Sequence, residues 1–123
     1  MKKIKLSVVI FIILNFFNLV NAESNISLKK YLDEEDLEKS STQIYLLKRC
    51  SAIYAYASGV TLKSDAISSK NFIEISNNLL FKSIELMVID ENKKLEEAQD
   101  EAEKNRKELF SNYIVDGKKN WEK

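Results

Sequence analysis

The chain has 123 residues, with 19 basic and 19 acidic side chains, one cysteine, two glycines, and neither histidine nor proline. Without histidine it lacks the commonest general base, the usual zinc ligand and the near-neutral pH switch. A single cysteine excludes an intramolecular disulfide and a Cys-rich metal site, and the scarcity of turn formers argues against an all-β domain.

Residues 1–22 read as a secretory signal peptide. Lys2, Lys3 and Lys5 form a positive start, Leu6 to Val20 is an apolar run, and Val20-Asn21-Ala22 offers a cleavage site after Ala22. The competing reading is an uncut membrane anchor. Against it, the run is shorter than the roughly 20 residues that cross a bilayer, and Asn15 and Asn18 interrupt it. The expected location is therefore outside the cytosol, periplasmic or extracellular, with no stable membrane span after cleavage. Lysine far outnumbers arginine, a bias of AT-rich genomes, and a bacterial host would make the compartment the periplasm or beyond. Cleavage removes three of the basic residues and none of the acidic ones, leaving a net charge of about −3. A nucleic-acid binder needs a basic excess on one face, and an anionic-lipid binder needs a basic amphipathic helix. Neither is present.

The remaining chain, about 101 residues, suits one domain. Residues 23–41 form a polar lead-in with a possible short helix from Ser27, its cap, to about Glu38. The Asp33-Glu34-Glu35-Asp36 cluster lacks the alternating ligands and turn glycine of a calcium loop and reads as a solvated acidic face. Asn25-Ile26-Ser27 is a glycosylation sequon, of consequence only in a eukaryotic host.

A helix is expected from about Thr42 to Lys63, capped by Ser40, Ser41 or Thr42. Leu46, Leu47, Cys50, Ile53, Tyr54, Ala57, Val60 and Thr61 recur at three- and four-residue spacing and are the expected core face. Ser51, Ala55 and Gly59 make a second, small-residue stripe, suited to a close crossing within the chain or to a dimer seam. Gly59 in mid-helix costs about 1 kcal/mol relative to alanine, so a close packing contact is expected there.

Ser64-Asp65 caps the next helix, whose apolar run from Leu79 to Ile89 belongs at the centre of the fold. Around Asp90-Glu91-Asn92 two arrangements compete: a turn into a third long helix, or one helix continuing from residue 65 to 115. The turn is favoured, because a lone helix with the stripe Leu95, Ala98, Ala102, Leu109 and Tyr113 buries too little to stay ordered. Gly117 is the expected stop, and residues 118–123, with Trp121, the polar tail. The fold class is all-α: a small antiparallel bundle of three main helices over residues 42–117, with a short fourth at the N-terminus.

Chemistry has few candidates. Cys50 follows Lys48 and Arg49, whose charge favours a thiolate, so it is a candidate redox or inter-chain thiol; its place on the apolar face points instead to an inert buried thiol. Tyr45 and Tyr56 lie at the margins of that face and are contact candidates, with Ser51, Ala55, Gly59 and Trp121. No catalytic, metal-binding or cofactor-binding residues are assigned and no cofactor is expected; a phosphate loop and a nucleophile elbow are missing, histidine is not there to serve a serine, and the one Ser–Lys arrangement considered, Ser68-Ser69-Lys70, reads as a polar helical stretch. The expected role is a non-enzymatic binding or accessory protein of the cell envelope, monomer or homodimer, whose partner is another envelope protein or itself. Alternatives are a small-molecule or lipid-carrying bundle, with a cavity lined by Leu79–Met87 and the Tyr54 face, and an envelope hydrolase using paired carboxylates.

Overall fold

The computed structural model describes residues 27–121, with side chains as far as Lys118. The expected signal peptide and the Trp121 side chain lie outside this description. Four helices follow one another: α1 (Leu28–Glu34), α2 (Ser40–Thr61), α3 (Ala66–Asp90) and α4 (Leu95–Trp121). No strand occurs among the described residues. The expected all-α bundle of three main helices and one short one is the fold.

Helix α1 belongs to a unit of its own that ends at Glu35. Ser27 caps it as expected, its hydroxyl accepting the Lys30 amide at 3.2 Å. It stops earlier than the expected Glu38. Glu35 is already extended, and the Asp36 carboxylate takes the Glu38 amide at 3.0 Å, a local turn that competes with helix.

The bundle begins at Asp36. Helix α2 starts two residues before the expected Thr42, from an extended Lys39 that supplies no side-chain cap. Ser40, expected as a cap, instead sends its hydroxyl to the Asp90 carboxylate at 2.6 Å and joins the start of α2 to the end of α3. Between α2 and α3, Asp65 is the expected cap: its carboxylate accepts the Ser68 amide at 3.0 Å and the Ser68 hydroxyl at 2.6 Å. Those bonds hold its carboxyl below the ordinary range.

The chain turns after Asp90. Asn92 adopts a left-handed φ of 54°, a conformation asparagine tolerates better than most residues, and the Lys93 amide returns to the Met87 carbonyl at 3.2 Å. Glu96 and Glu97 in the first turn of α4 complement its dipole. Gly117 does not stop α4. It keeps an ordinary helical backbone without positive φ, and the helix runs on to Trp121.

Helices α2 and α3 meet through serine. Ser51 and Ser58 are seven residues apart on α2, and Ser69, Ser76 and Ser83 repeat the spacing on α3; all five are buried. The Ser51 hydroxyl donates to the Ser76 carbonyl at 2.7 Å and the Ser76 hydroxyl donates back to the Ser51 carbonyl at 2.6 Å. Ser58 and Ser69 repeat the exchange at 2.9 and 2.8 Å. Ser83 bonds the Leu80 carbonyl of its own helix at 2.7 Å. Small side chains let the two backbones approach, and the approach brings each hydroxyl to a carbonyl. Every one has a partner, so the usual cost of about 1–3 kcal/mol for a buried orphan is avoided.

Helix α4 lies across one side of this pair. Ile44, Leu80, Ile84, Met87, Ala98 and Ala102 make the apolar core. Thus the second half of α3 is central, as expected, on its Leu80–Ile84–Met87 side; Phe81 and Ile89 face outward.

Candidate functional site

The expected core face of α2 is not the one α4 covers. The buried positions are Thr42, Ile44, Lys48, Arg49, Ser51, Ala52 and Ser58, whereas Leu46, Leu47, Cys50, Ile53, Tyr54 and Ala57 are half-buried and Val60 is exposed. Helical spacing explains the difference. With Ile44, Ser51 and Ser58 facing α3, positions 48, 52 and 55 turn to one side and 47, 50, 54 and 57 to the other. The first side receives α4.

Charge decorates that covered side. Lys48 is buried and lies 3.4 Å from Glu101 of α4, and Lys93 bonds the other oxygen of the same carboxylate. The Lys93 hydrogen bond holds the Glu101 carboxyl below its ordinary range; partial burial opposes this and Lys48 reinforces it. Farther along, Arg49 donates to the Tyr113 hydroxyl at 3.0 Å and to the Tyr45 hydroxyl at 3.3 Å. Burial works against its charge, but the two phenols outweigh it and the guanidinium stays firmly protonated. Burial likewise raises the Tyr113 phenol, with Arg49 opposing.

Tyr45 therefore serves an internal contact. Tyr56 does too: its ring lies 6.5 Å from that of Phe110 and 6.4 Å from that of Tyr113, and its tip rests on the α4 backbone at Gly117. Any side chain at 117 would run into the Tyr56 hydroxyl, and the ring carbon bearing it stands 3.1 Å from where a Cβ would be. Gly117 is a place of close approach, a role the terminator reading overlooked.

The Ser51–Ala55–Gly59 stripe divides. Ser51 is in the serine seam. Ala55 and Gly59 border an open cleft of about 750 Å³ between the second half of α2, Ile73 of α3, and α4 from Asp100 to Phe110. A Cβ at Gly59 would meet nothing within 4 Å, so the close crossing expected there is absent and the residue opens onto the cleft. Arg106 stands at this cleft and donates to Asn77 at 2.9 Å. The cavity expected along Leu79–Met87 and Tyr54 is not where this cleft lies.

Cys50 is a free thiol, half-buried on the α2 side away from α4. Burial pushes its thiol up, and Arg49 only partly offsets this, so nucleophilic thiolate is disfavoured. Tyr54 on the same side packs its ring 6.0 Å from Phe72 of α3. Among the described residues no three metal-ligating side chains gather, and no helix is long and apolar enough to cross a membrane.

Sequence reasoning missed Lys48, Glu101, Arg49, Tyr113 and the five-serine seam. The seam had a readable signal, serine at seven-residue intervals on two successive helices. The link across the helices had none, since Lys48 and Glu101 lie 53 residues apart. No protein-family model, curated protein or solved structure matches the chain.

Proposed function

We propose that this protein is an exported, non-enzymatic binding protein that works through the outer faces of its helical bundle. What supports this reading is an inversion in where the large apolar side chains go. Val60, Leu62, Ile67, Phe81 and Ile89 are each more than half exposed, while the α2–α3 seam is filled by serine. Burying a side chain of this size gains about 1.5–3 kcal/mol, which folding alone leaves unclaimed here. A partner surface collects it.

The test is site-directed photo-cross-linking of the full-length chain in its producing cell, with the probe at Ile67 or Phe81 and at Lys70 as a charged control. Capture of one identified species, self or other, from an apolar position and not from Lys70 is expected. No capture from either apolar position removes the reading.

The cleft favours a second reading, carriage of a small amphiphile. Its size is within the roughly 300–1,000 Å³ of ligand pockets, with Ala55, Ile73 and Phe110 as apolar lining and with Lys104, Arg106 and Lys107 outnumbering Asp100 and Glu103 for an acidic head. A fluorescent fatty acid serves as probe. Binding that Gly59→Leu abolishes supports carriage, and absence of binding ends it.

A further inference from the structure

The cleft beside α4 has a direction. Ser51 bonds Ser76 and Ser58 bonds Ser69, so α3 runs opposite to α2. Glu101 beside Lys48 and Phe110 beside Tyr56 set α4 in the same sense as α2. Arg106 and Asn77 therefore share one level, and Phe110 and Ile73, each four residues on, share the next level toward Gly59. The first level is polar and the second apolar. Gly59 leaves the apolar end open, since a Cβ there would meet nothing within 4 Å. A ligand that fits both levels has a polar head and an apolar tail.

Arg106 is built to hold the head. Asp100, Glu103, Lys104 and Lys107 at the cleft are exposed, so water screens their charge, whereas Arg106 is half-buried. Its Nη1 donates to the Asn77 side-chain oxygen at 2.9 Å and stands 3.4 Å from the Ser76 hydroxyl, which fixes the plane of the guanidinium. Among the described residues nothing bonds its Nε or Nη2. No ion pair among the described residues joins two cleft side chains, so Asp100 and Glu103 do not occupy the arginine. Nε and Nη2 together form a two-donor edge that matches the two oxygens of a planar carboxylate. A guanidinium already held by Asn77 binds without first ordering a long side chain. Asp100 and Glu103 repel a doubly charged head, such as a phosphate monoester, more than a singly charged one.

We infer that Arg106 receives the head of a monocarboxylate amphiphile on its Nε–Nη2 edge, with the tail laid along Ile73 and Phe110 toward Gly59. This rests on the carriage reading above and names both the head it selects and the residue that selects it. A lysine at position 106 keeps the charge and loses the paired donors, so charge and fork are separable.

Displacement of a fluorescent fatty acid from the full-length chain, as the producing cell yields it, is the experiment. It is run at about pH 8, where a phosphate monoester head carries two charges, with every competitor below its micelle concentration. Dodecanoate is expected to displace the probe at a concentration at least tenfold below that needed for dodecanol or dodecyl phosphate. Arg106→Lys should weaken dodecanoate at least tenfold and leave dodecanol unchanged, with helical circular dichroism kept, a split that loose packing would not produce. Lys82→Gln, outside the cleft and paired to Glu85 on α3, should change neither. Arg106→Lys without effect, or displacement by dodecanol or dodecyl phosphate as strong as by dodecanoate, overturns the inference and leaves carriage standing. Should the variant unfold, the ranking of the three heads on the unaltered chain decides alone. No binding of the fluorescent acid at all removes both.

Discussion

Gly59 and Gly117 lie within helices of the same bundle in opposite surroundings. At Gly59 nothing lies within 4 Å of an added methyl, so Gly59→Ala should stabilise the fold by about 0.5–1 kcal/mol through helix propensity, read as a higher urea midpoint. At Gly117 the same change gains the same propensity and meets the Tyr56 hydroxyl. Gly117→Ala alone should therefore lose its propensity gain or more, whereas in a Tyr56→Phe background, where only the ring carbon at 3.1 Å still crowds the new methyl, it should be better tolerated by about 0.5–1 kcal/mol. Equal effects of Gly117→Ala in both backgrounds would show that the hydroxyl does not limit the approach. Neither circumstance is readable from the letters, because glycine denotes open space and tight contact alike.

At the scale of helices, number, order and turns were legible, and the buried face of α2 was not. The breaks at Ser64-Asp65 and near Asn92 carry local chemistry, a carboxylate cap and a residue tolerant of left-handed φ, so their place follows from neighbours in sequence. Which side of α2 is covered depends on α4, whose contribution to the core is chiefly Ala98 and Ala102. A hydropathy reading ranks Leu47 and Tyr54 above Ser51, yet Ser51 is fully buried because its hydroxyl finds the Ser76 carbonyl. The seam makes its own prediction. Ser51→Ala with Ser76→Ala removes both hydroxyls together and should cost less than about 1 kcal/mol, whereas Ser76→Leu overpacks the crossing and should cost about 1–3 kcal/mol or more by chemical denaturation.

Across the whole molecule, the ion cluster fastens α4 to the helix pair and sets an acid limit. The Glu101 carboxyl binds its proton less readily in the folded state, so the contact stabilises fully above the unfolded carboxylate range near pH 4.5 and is lost as pH falls through the lower folded value. The Glu101 side chain is 35% exposed, so solvent replaces part of what is lost, and Glu101→Gln should cost only about 1 kcal/mol at pH 7. The same variant should show a flatter decline in stability between pH 5 and 3. Lys48→Met replaces a buried cation with an apolar chain of similar length and is expected to cost less than Glu101→Gln. Intact-mass measurement after cell fractionation should find, outside the cytosol, a product that starts at Glu23; an uncleaved product confined to the cytosol would remove the export expectation.

The serine repeat has one more implication, for alignment. Sliding α2 past α3 by seven residues would set Ser58 against Ser76 and Ser51 against Ser83, the same hydroxyl chemistry in a new register. The seam thus cannot by itself tell one alignment from the next. The choice falls to the short connection over residues 62–65 and to the clasp between Ser40 and Asp90 at the far end. Loosening that connection with flexible residues, and cutting the clasp with Asp90→Ala, should free the hairpin to misalign or to exchange helices between chains.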